Sequence, residues 1–202
     1  MYLSIDFEDF NHDLKRSLGL CESGDINVKS LWEKYYKINE IYKNSKTEKG
    51  KYGTFFCTAV IAEKEPSLIK QIVLDGHEIA CHYYYHDPII KEDLSTFHLM
   101  LSKARDKLED VSGTKVVGFR APMFAINKTC PSQYKIVEKL FKYDSSFFCG
   151  SNEELNLFKN KMNLNNLKLI PIFSKTFLGK DFRLGGTYLK FFPLSYTYAM
   201  LK

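Results

Sequence analysis

The sequence predicts an α/β fold built from parallel strands that alternate with helices. Strand, helix and turn recur in that order four times, and residues with chemistry to offer gather just beyond the carboxyl ends of the strands. At 202 residues, with 45% hydrophobic and 15% aromatic content, the chain can bury a substantial core. Residues 1–202 are therefore read as a single domain.

The first strand begins as a short apolar run and ends in acids, Ser4-Ile5-Asp6-Phe7-Glu8-Asp9-Phe10. Residues 11–29 are polar and glycine-containing and read as a loop over the site mouth, carrying His12. From Val28 to Tyr42, Leu31, Trp32, Tyr35, Tyr36, Ile38, Ile41 and Tyr42 recur at helical spacing, which predicts a helix with a core face. Thr54 to Val60 reads as a buried strand after the turn at Gly50 and Gly53. Pro66-Ser67 opens the next helix, Leu68, Ile69, Ile72 and Val73 form its buried stripe, and Asp75-Gly76 ends it. His77 to Cys81 is a third strand, residues 92–110 an amphipathic helix bearing His98 on its surface, and Lys115 to Phe119 a fourth strand. Ser132 to Phe141 is the following helix.

Two histidines four residues apart, His82 and His86, follow the third strand. A helical turn or a compact loop would bring both imidazoles to one ion, and neutral imidazole suits zinc and its neighbours. A third ligand is then wanted, and the acids that end the first strand supply candidates. Along a strand, Asp6 and Glu8 share a face while Phe7 points to the other side. Cys81 adjoins His82, but the same alternation turns it away, so it reads as a small buried residue.

The formal charge of +5 comes from scattered lysines rather than a basic block, which argues against a nucleic-acid arm and is only a weak argument for an anionic partner. No apolar run approaches transmembrane length. Five cysteines without Cys-x-x-Cys spacing, and a first strand starting almost at Met1 with no signal-peptide pattern, lead to the expectation of a cytoplasmic protein with reduced thiols.

Asp6-x-Glu8, Thr54-Phe55-Phe56, Gly76-His77-Glu78-Ile79 leading to His82-x-x-x-His86, Gly118-Phe119-Arg120-Ala121-Pro122 and Tyr143-Asp144-Ser145-Ser146 occur in this order. Together they resemble the polysaccharide deacetylases of the NodB-homology type (carbohydrate esterase family 4). Gly185-Gly186-Thr187-Tyr188-Leu189-Lys190 with Pro193 resembles a segment of the branch found with exopolysaccharide biosynthesis. The resemblance implies a distorted, incomplete (β/α) barrel and metal-assisted removal of N-acetyl groups from an amino-sugar polymer or its precursor. It implies a divalent ion, zinc with cobalt or nickel as substitutes, held by Glu8, His82 and His86. Asp6 would be the general base and Arg120 its orienting partner, against the alternative of a surface salt bridge for Arg120. A backbone N–H near Met123 would complete an oxyanion site. Asp144 would tune a later histidine or cap its own turn. Asp9 is the rival metal ligand, with a turn or cap role as the alternative, and Gly185, Gly186 and Tyr188 border a sugar subsite or simply form turns.

The chain departs from the family most seriously in that no histidine follows His98 to protonate the departing amine; Met123 also stands where classical relatives have tyrosine. The expectation is a domain that lacks its carboxyl-terminal end, exposes barrel surface there and is open to a partner chain such as a second copy. Two alternatives to an N-deacetylase remain: a metal- or glycan-binding module without efficient turnover, and a deformylase or other amidase acting on a nucleotide- or lipid-linked sugar.

Overall fold

The computed structural model of the chain describes residues 3–21, 25–45, 52–149, 151–177 and 180–183. Short apolar runs at Ser4–Phe7 (β1), Thr54–Cys57 (β2) and Glu78–Cys81 (β3) pair in parallel, with Phe7 beside Cys57 and Cys57 beside Cys81. Gly118–Phe119 (β4), Tyr143–Asp144 (β5) and Lys168–Leu169 (β7) continue the sheet. Its order is β1-β2-β3-β4-β5-β7, all parallel and not closed on itself, as a distorted, incomplete barrel requires. A second sheet holds Phe148–Cys149 (β6), Ile172–Phe177 (β8) and Lys180–Arg183 (β9), where β8 and β9 run antiparallel.

The helices are set by their ends and their apolar stripes. They are Phe10–Ser17 (α1), Val28–Lys43 (α2), Ala59–Lys64 (α3), Pro66–Leu74 (α4), Leu94–Ser112 (α5), Pro131–Leu140 (α6) and Asn152–Lys161 (α7). Asn27 caps α2 by accepting from the Ser30 N–H at 3.0 Å, and Asp93 caps α5 by accepting from Ser95 and Thr96 at 3.0 and 2.9 Å. Gly113 ends α5 at φ +68°, where a side chain would be strained. Phe55, Ile61, Leu68, Ile69, Ile79, Phe97 and Leu101 are fully buried between the sheet and these helices.

Four expectations change. Part of residues 11–29, a stretch whose polar composition reads as loop, is helical; its apolar residues Phe10 and Leu14 and the Leu18 that follows are exposed, and Arg16 holds the helix in place by binding Asp87. The expected strand from Thr54 to Val60 stops at Cys57, and Ala59 to Ala62 begin a helix buried on all sides; a continuous apolar run does not separate these two forms. On α2, Tyr36 and Ile41 are exposed and Asn39 is buried instead, its amide donating to Asp75 at 2.7 Å and its oxygen facing His77 Nε2 at 3.1 Å. The fourth strand is two residues, Gly118–Phe119, rather than Lys115 to Phe119. Among the described residues no helix is long and apolar enough to cross a membrane. Gly185, Gly186 and Tyr188 lie outside the described residues.

Candidate metal centre

Parallel register places the ends of β1 and β3 at the same level, one strand apart. Glu8 follows β1 and His82 follows β3, where its N–H continues the ladder to the Cys57 carbonyl at 2.8 Å. The chain then turns through Tyr83 at φ +67°, a conformation that costs a bulky residue energy and is held by its surroundings. The Tyr83 and Tyr84 carbonyls accept from the Ala59 and Val60 N–H groups at 2.9 and 3.1 Å, at the start of α3. The Tyr83 ring stacks on Phe97 and its hydroxyl donates to Glu92. Residues 82–86 thus form a compact loop rather than a helical turn, and it returns His86 to within 5.2 Å of His82, ring centre to ring centre.

Glu8 Oε2 lies 2.7 Å from His86 Nε2 and 3.6 Å from His82 Nε2, and the three possible ligand atoms all fall within 4.8 Å of one another. The Arg120 carbonyl sits 2.8 Å from His82 Nδ1. A carbonyl only accepts, so Nδ1 carries the proton and Nε2 presents a lone pair to the cluster. His82 Nε2 is buried without a hydrogen-bonding partner, and buried Glu8 Oε2 has only the two imidazoles beside it. Buried polar atoms are rarely left so, and a cation held by two imidazoles and one carboxylate would satisfy both while leaving a position open. The residues therefore fit a zinc-type ion. Burial alone would raise the Glu8 carboxyl, but contacts with His82 and His86 outweigh it and hold its pKa at about 2. Burial lowers His82, yet Glu8, Asp6 and the Arg120 carbonyl together carry it above the ordinary imidazole value.

Beside this cluster, Asp6 Oδ1 accepts from Arg120 Nη1 at 2.5 Å. The guanidinium is buried and four of its five N–H groups are engaged, for, beside the bond to Asp6, Nη2 donates to Ser4 Oγ at 2.9 Å and Ser145 Oγ at 2.8 Å, and Nε to the Ser145 carbonyl at 3.3 Å. It also lies 3.9 Å from the centre of the Phe56 ring. Arg120 is thus no surface ion-pair residue. Two residues on, Pro122–Phe124 form a single tight turn in which Met123 and Phe124 both have positive φ, +53° and +55°. The Phe124 and Ala125 amides are bonded within the turn, whereas that of Met123 makes no backbone hydrogen bond among the described residues. Strain at two adjacent residues next to a polar cluster is the pattern of a functional segment.

The sequence model of the polysaccharide deacetylase family matches residues 37–139, about half of the chain and the part that carries His82, His86, Arg120 and Met123. The chain belongs to the polysaccharide deacetylase family. A peptidoglycan deacetylase-like protein of Gibberella zeae is 34% identical over 93 residues, which are 46% of this chain and 27% of that protein. Two solved structures share the fold: a putative polysaccharide deacetylase of Mycobacterium smegmatis (TM-score 0.53, 19% identity, 84% of this chain and 74% of that one) and a carbohydrate esterase family 4 pseudoenzyme of Bacillus anthracis (TM-score 0.51, 17% identity, 69% and 50%). The chain thus spans about a quarter of the curated relative and half of the pseudoenzyme.

The other residues singled out in the sequence of this family member are placed as follows by their contacts. Asp144 is fully buried, accepting from Ser146 Oγ at 2.6 Å; that oxygen in turn accepts from the Ala121 N–H at 2.7 Å. Burial pushes the Asp144 carboxyl up to about 6 against the pull of Ser146 and Arg120. Asp9 is outside the ligand cluster: it occupies the N-cap position of α1 without a side-chain cap bond, and its Oδ2 accepts from the Asn27 N–H at 2.5 Å and faces His12 Nδ1 at 2.9 Å. Cys81 is buried, away from the cluster, and burial raises its thiol to about 12. His98 is half-buried on α5 and also outside the cluster. Sequence reasoning missed Ser4, Ser145 and Ser146, whose type is too common to signal a role, although an arginine beside a strand end needs partners for five N–H groups. It also missed Arg16, which grips both oxygens of Asp87 at 2.6 and 2.8 Å and fastens α1 to the histidine loop.

Proposed function

We propose that this chain is a metal-dependent hydrolase that removes N-acetyl groups from an amino-sugar polysaccharide or its precursor. The observation that carries this reading is the convergence of Glu8, His82 and His86 within 4.8 Å, beside an aspartate pinned by a buried arginine. Glu8, His82 and His86 would hold the ion, with zinc the first choice and cobalt or nickel as substitutes. When bound, such an ion lowers the pKa of water toward ~7 and polarises an amide carbonyl.

The chain's own groups supply the rest. Asp6, kept off the cluster by its bond to Arg120, takes a proton from the attacking water, and Arg120 fixes the direction in which that carboxylate points. The Met123 N–H binds the amide oxygen as charge builds there. The carbon–nitrogen bond breaks with proton transfer to the leaving nitrogen, and the proton gathered by Asp6 is available for it. A second reading is a metal- and glycan-binding module with little turnover. A role in exopolysaccharide biosynthesis is the finer proposal, resting on the Gly185 to Pro193 segment.

Acetate release separates these readings. The zinc-, cobalt- or nickel-loaded protein is incubated with acetylated amino-sugar oligomers, and calorimetry follows zinc binding. Release that Asp6→Asn abolishes, with zinc affinity lowered at least tenfold by Glu8→Gln, supports the hydrolase. Zinc binding without release supports the module, and failure to bind any of the three ions refutes both.

A further inference from the structure

His82 and His86 converge on one cluster but are held there by different means. His82 is fully buried and fixed twice by main chain, its N–H bonded to the Cys57 carbonyl and its Nδ1 to the Arg120 carbonyl, both at 2.8 Å. His86 lies beyond the end of β3, in a segment that is neither helix nor strand. Among the described residues its main chain makes no backbone hydrogen bond, and its ring has no polar partner but Glu8, at 2.7 Å. Glu8 is itself a candidate ligand, so another group must aim this imidazole.

The residues on either side of His86 lead to that group. Asp87 accepts from Arg16 Nη1 with both carboxylate oxygens, at 2.6 and 2.8 Å. The same guanidinium lies 5.0 Å from the centre of the Tyr85 ring, and its Nη2 donates to Asp13 at 3.3 Å. Tyr85 packs on Tyr84, whose hydroxyl donates to Glu63 at 2.6 Å, so the loop is anchored on its far side as well. Helix α1 turns Phe10 and Leu14 outward, and apolar burial therefore contributes little to seating it. Its inward side is polar: Asp13 and Arg16 are each 13% exposed, and Asp13 lies close enough to Glu8 and His86 to feel both charges. Charge, more than packing, seats α1 beside the metal centre. An ion pair whose acid is 40% exposed adds little stability of its own, so the consequence of the Arg16–Asp87 contact belongs to the loop that it holds.

We propose that Arg16 is the positioning residue of His86: engaging Tyr85 and Asp87 on either side, it aims the imidazole at the ion and makes metal affinity depend on α1. This inference rests on Glu8, His82 and His86 being a metal site and not on hydrolysis. Calorimetric zinc titration and thermal melts of the metal-free full chain compare the unaltered protein, Arg16→Met, Arg16→Lys, Asp87→Asn, and His86→Ala with and without Arg16→Met. Arg16→Met should lower zinc affinity about tenfold to a hundredfold, the usual cost of removing a partner that orients a ligand. Its melting temperature should fall by less than about 4 °C. Arg16→Lys, which keeps the charge, should recover part of the affinity. In the His86→Ala chain no imidazole is left to aim, and there Arg16→Met should change zinc affinity by less than about twofold. Asp87→Asn removes the charge from the other side of the pair; it should show a loss of the same order and decides the matter if Arg16→Met does not fold. Equal zinc affinity in Arg16→Met and the unaltered chain overturns the proposal while leaving the metal site standing. A loss as large in the His86→Ala chain as in the unaltered one also overturns it, since Arg16 would then support the fold in general. An unaltered chain that takes up no zinc removes the metal site and this inference together.

Discussion

Replacing Arg120 with methionine keeps the length of the side chain and its packing against Phe56 while removing every donor. The bond to Asp6 is charge-assisted, a class worth about 1.5–3 kcal/mol in general, and because Asp6 is 29% exposed water recovers part of it, leaving about 1–2 kcal/mol. Ser4 and Ser145 each lose a donor, but their hydroxyls can rotate to other partners, so about 0.5 kcal/mol apiece is a fair allowance. The net loss is then about 2–3 kcal/mol, which for a chain of this size lowers Tm by roughly 4–12 °C. Freed from its anchor, Asp6 samples unproductive directions, and kcat should fall about a hundredfold or more with KM little changed. Zinc affinity should hold, because His82 is oriented by the main-chain carbonyl of Arg120, which the substitution leaves in place. Thermal melts, steady-state acetate release and calorimetry read these three effects. If Tm and kcat both match the unaltered protein, the guanidinium does not position the base and the account of the site is wrong.

Two other outcomes follow from burial. Asp144 has a folded-state pKa of about 6 against 3.8 ordinarily, so the folded form binds more protons between these values and stability falls as pH rises from about 4 to about 6. Asp144→Asn should therefore be more stable than the unaltered chain at pH 7, by on the order of 2 kcal/mol, and the difference should vanish near pH 4 in urea titrations; equal stability at both pH values would contradict it. At Gly118 an added methyl group would meet the Tyr143 ring at 2.1 Å, and that ring's hydroxyl donates to Glu78 at 3.0 Å. Gly118→Ala should thus cost about 1–3 kcal/mol in denaturant unfolding, and a neutral effect would show that Tyr143 is free to move.

The sequence exposed the site more fully than it exposed the fold. Acids two apart on a strand, histidines four apart beyond another and an arginine beyond a third are signals of residue type and spacing, and the structure brings them together. The histidine loop was only half legible, because its course depends on Tyr83 adopting a positive φ that no local preference of tyrosine favours. Helix α3 was hidden in a uniformly apolar run, and Asn39 could be recognised as a core residue only once Asp75 and His77 were seen to satisfy its amide. The inverted face of α1 defeats pattern reading altogether, since periodicity tells which residues share a side and not which side looks inward.

The main sheet adds its strands in the order in which a ribosome releases them, apart from β6, which joins the smaller sheet. Every later strand therefore docks on a ready border and none must wedge between neighbours already paired, a route of short loop closures. Glu8, His82 and His86 all precede residue 87, so a nascent chain released a few residues beyond its third strand already carries all three cluster residues. The arginine that binds Asp6 arrives afterwards, and a tethered, truncated chain should capture zinc before that carboxylate is held in place.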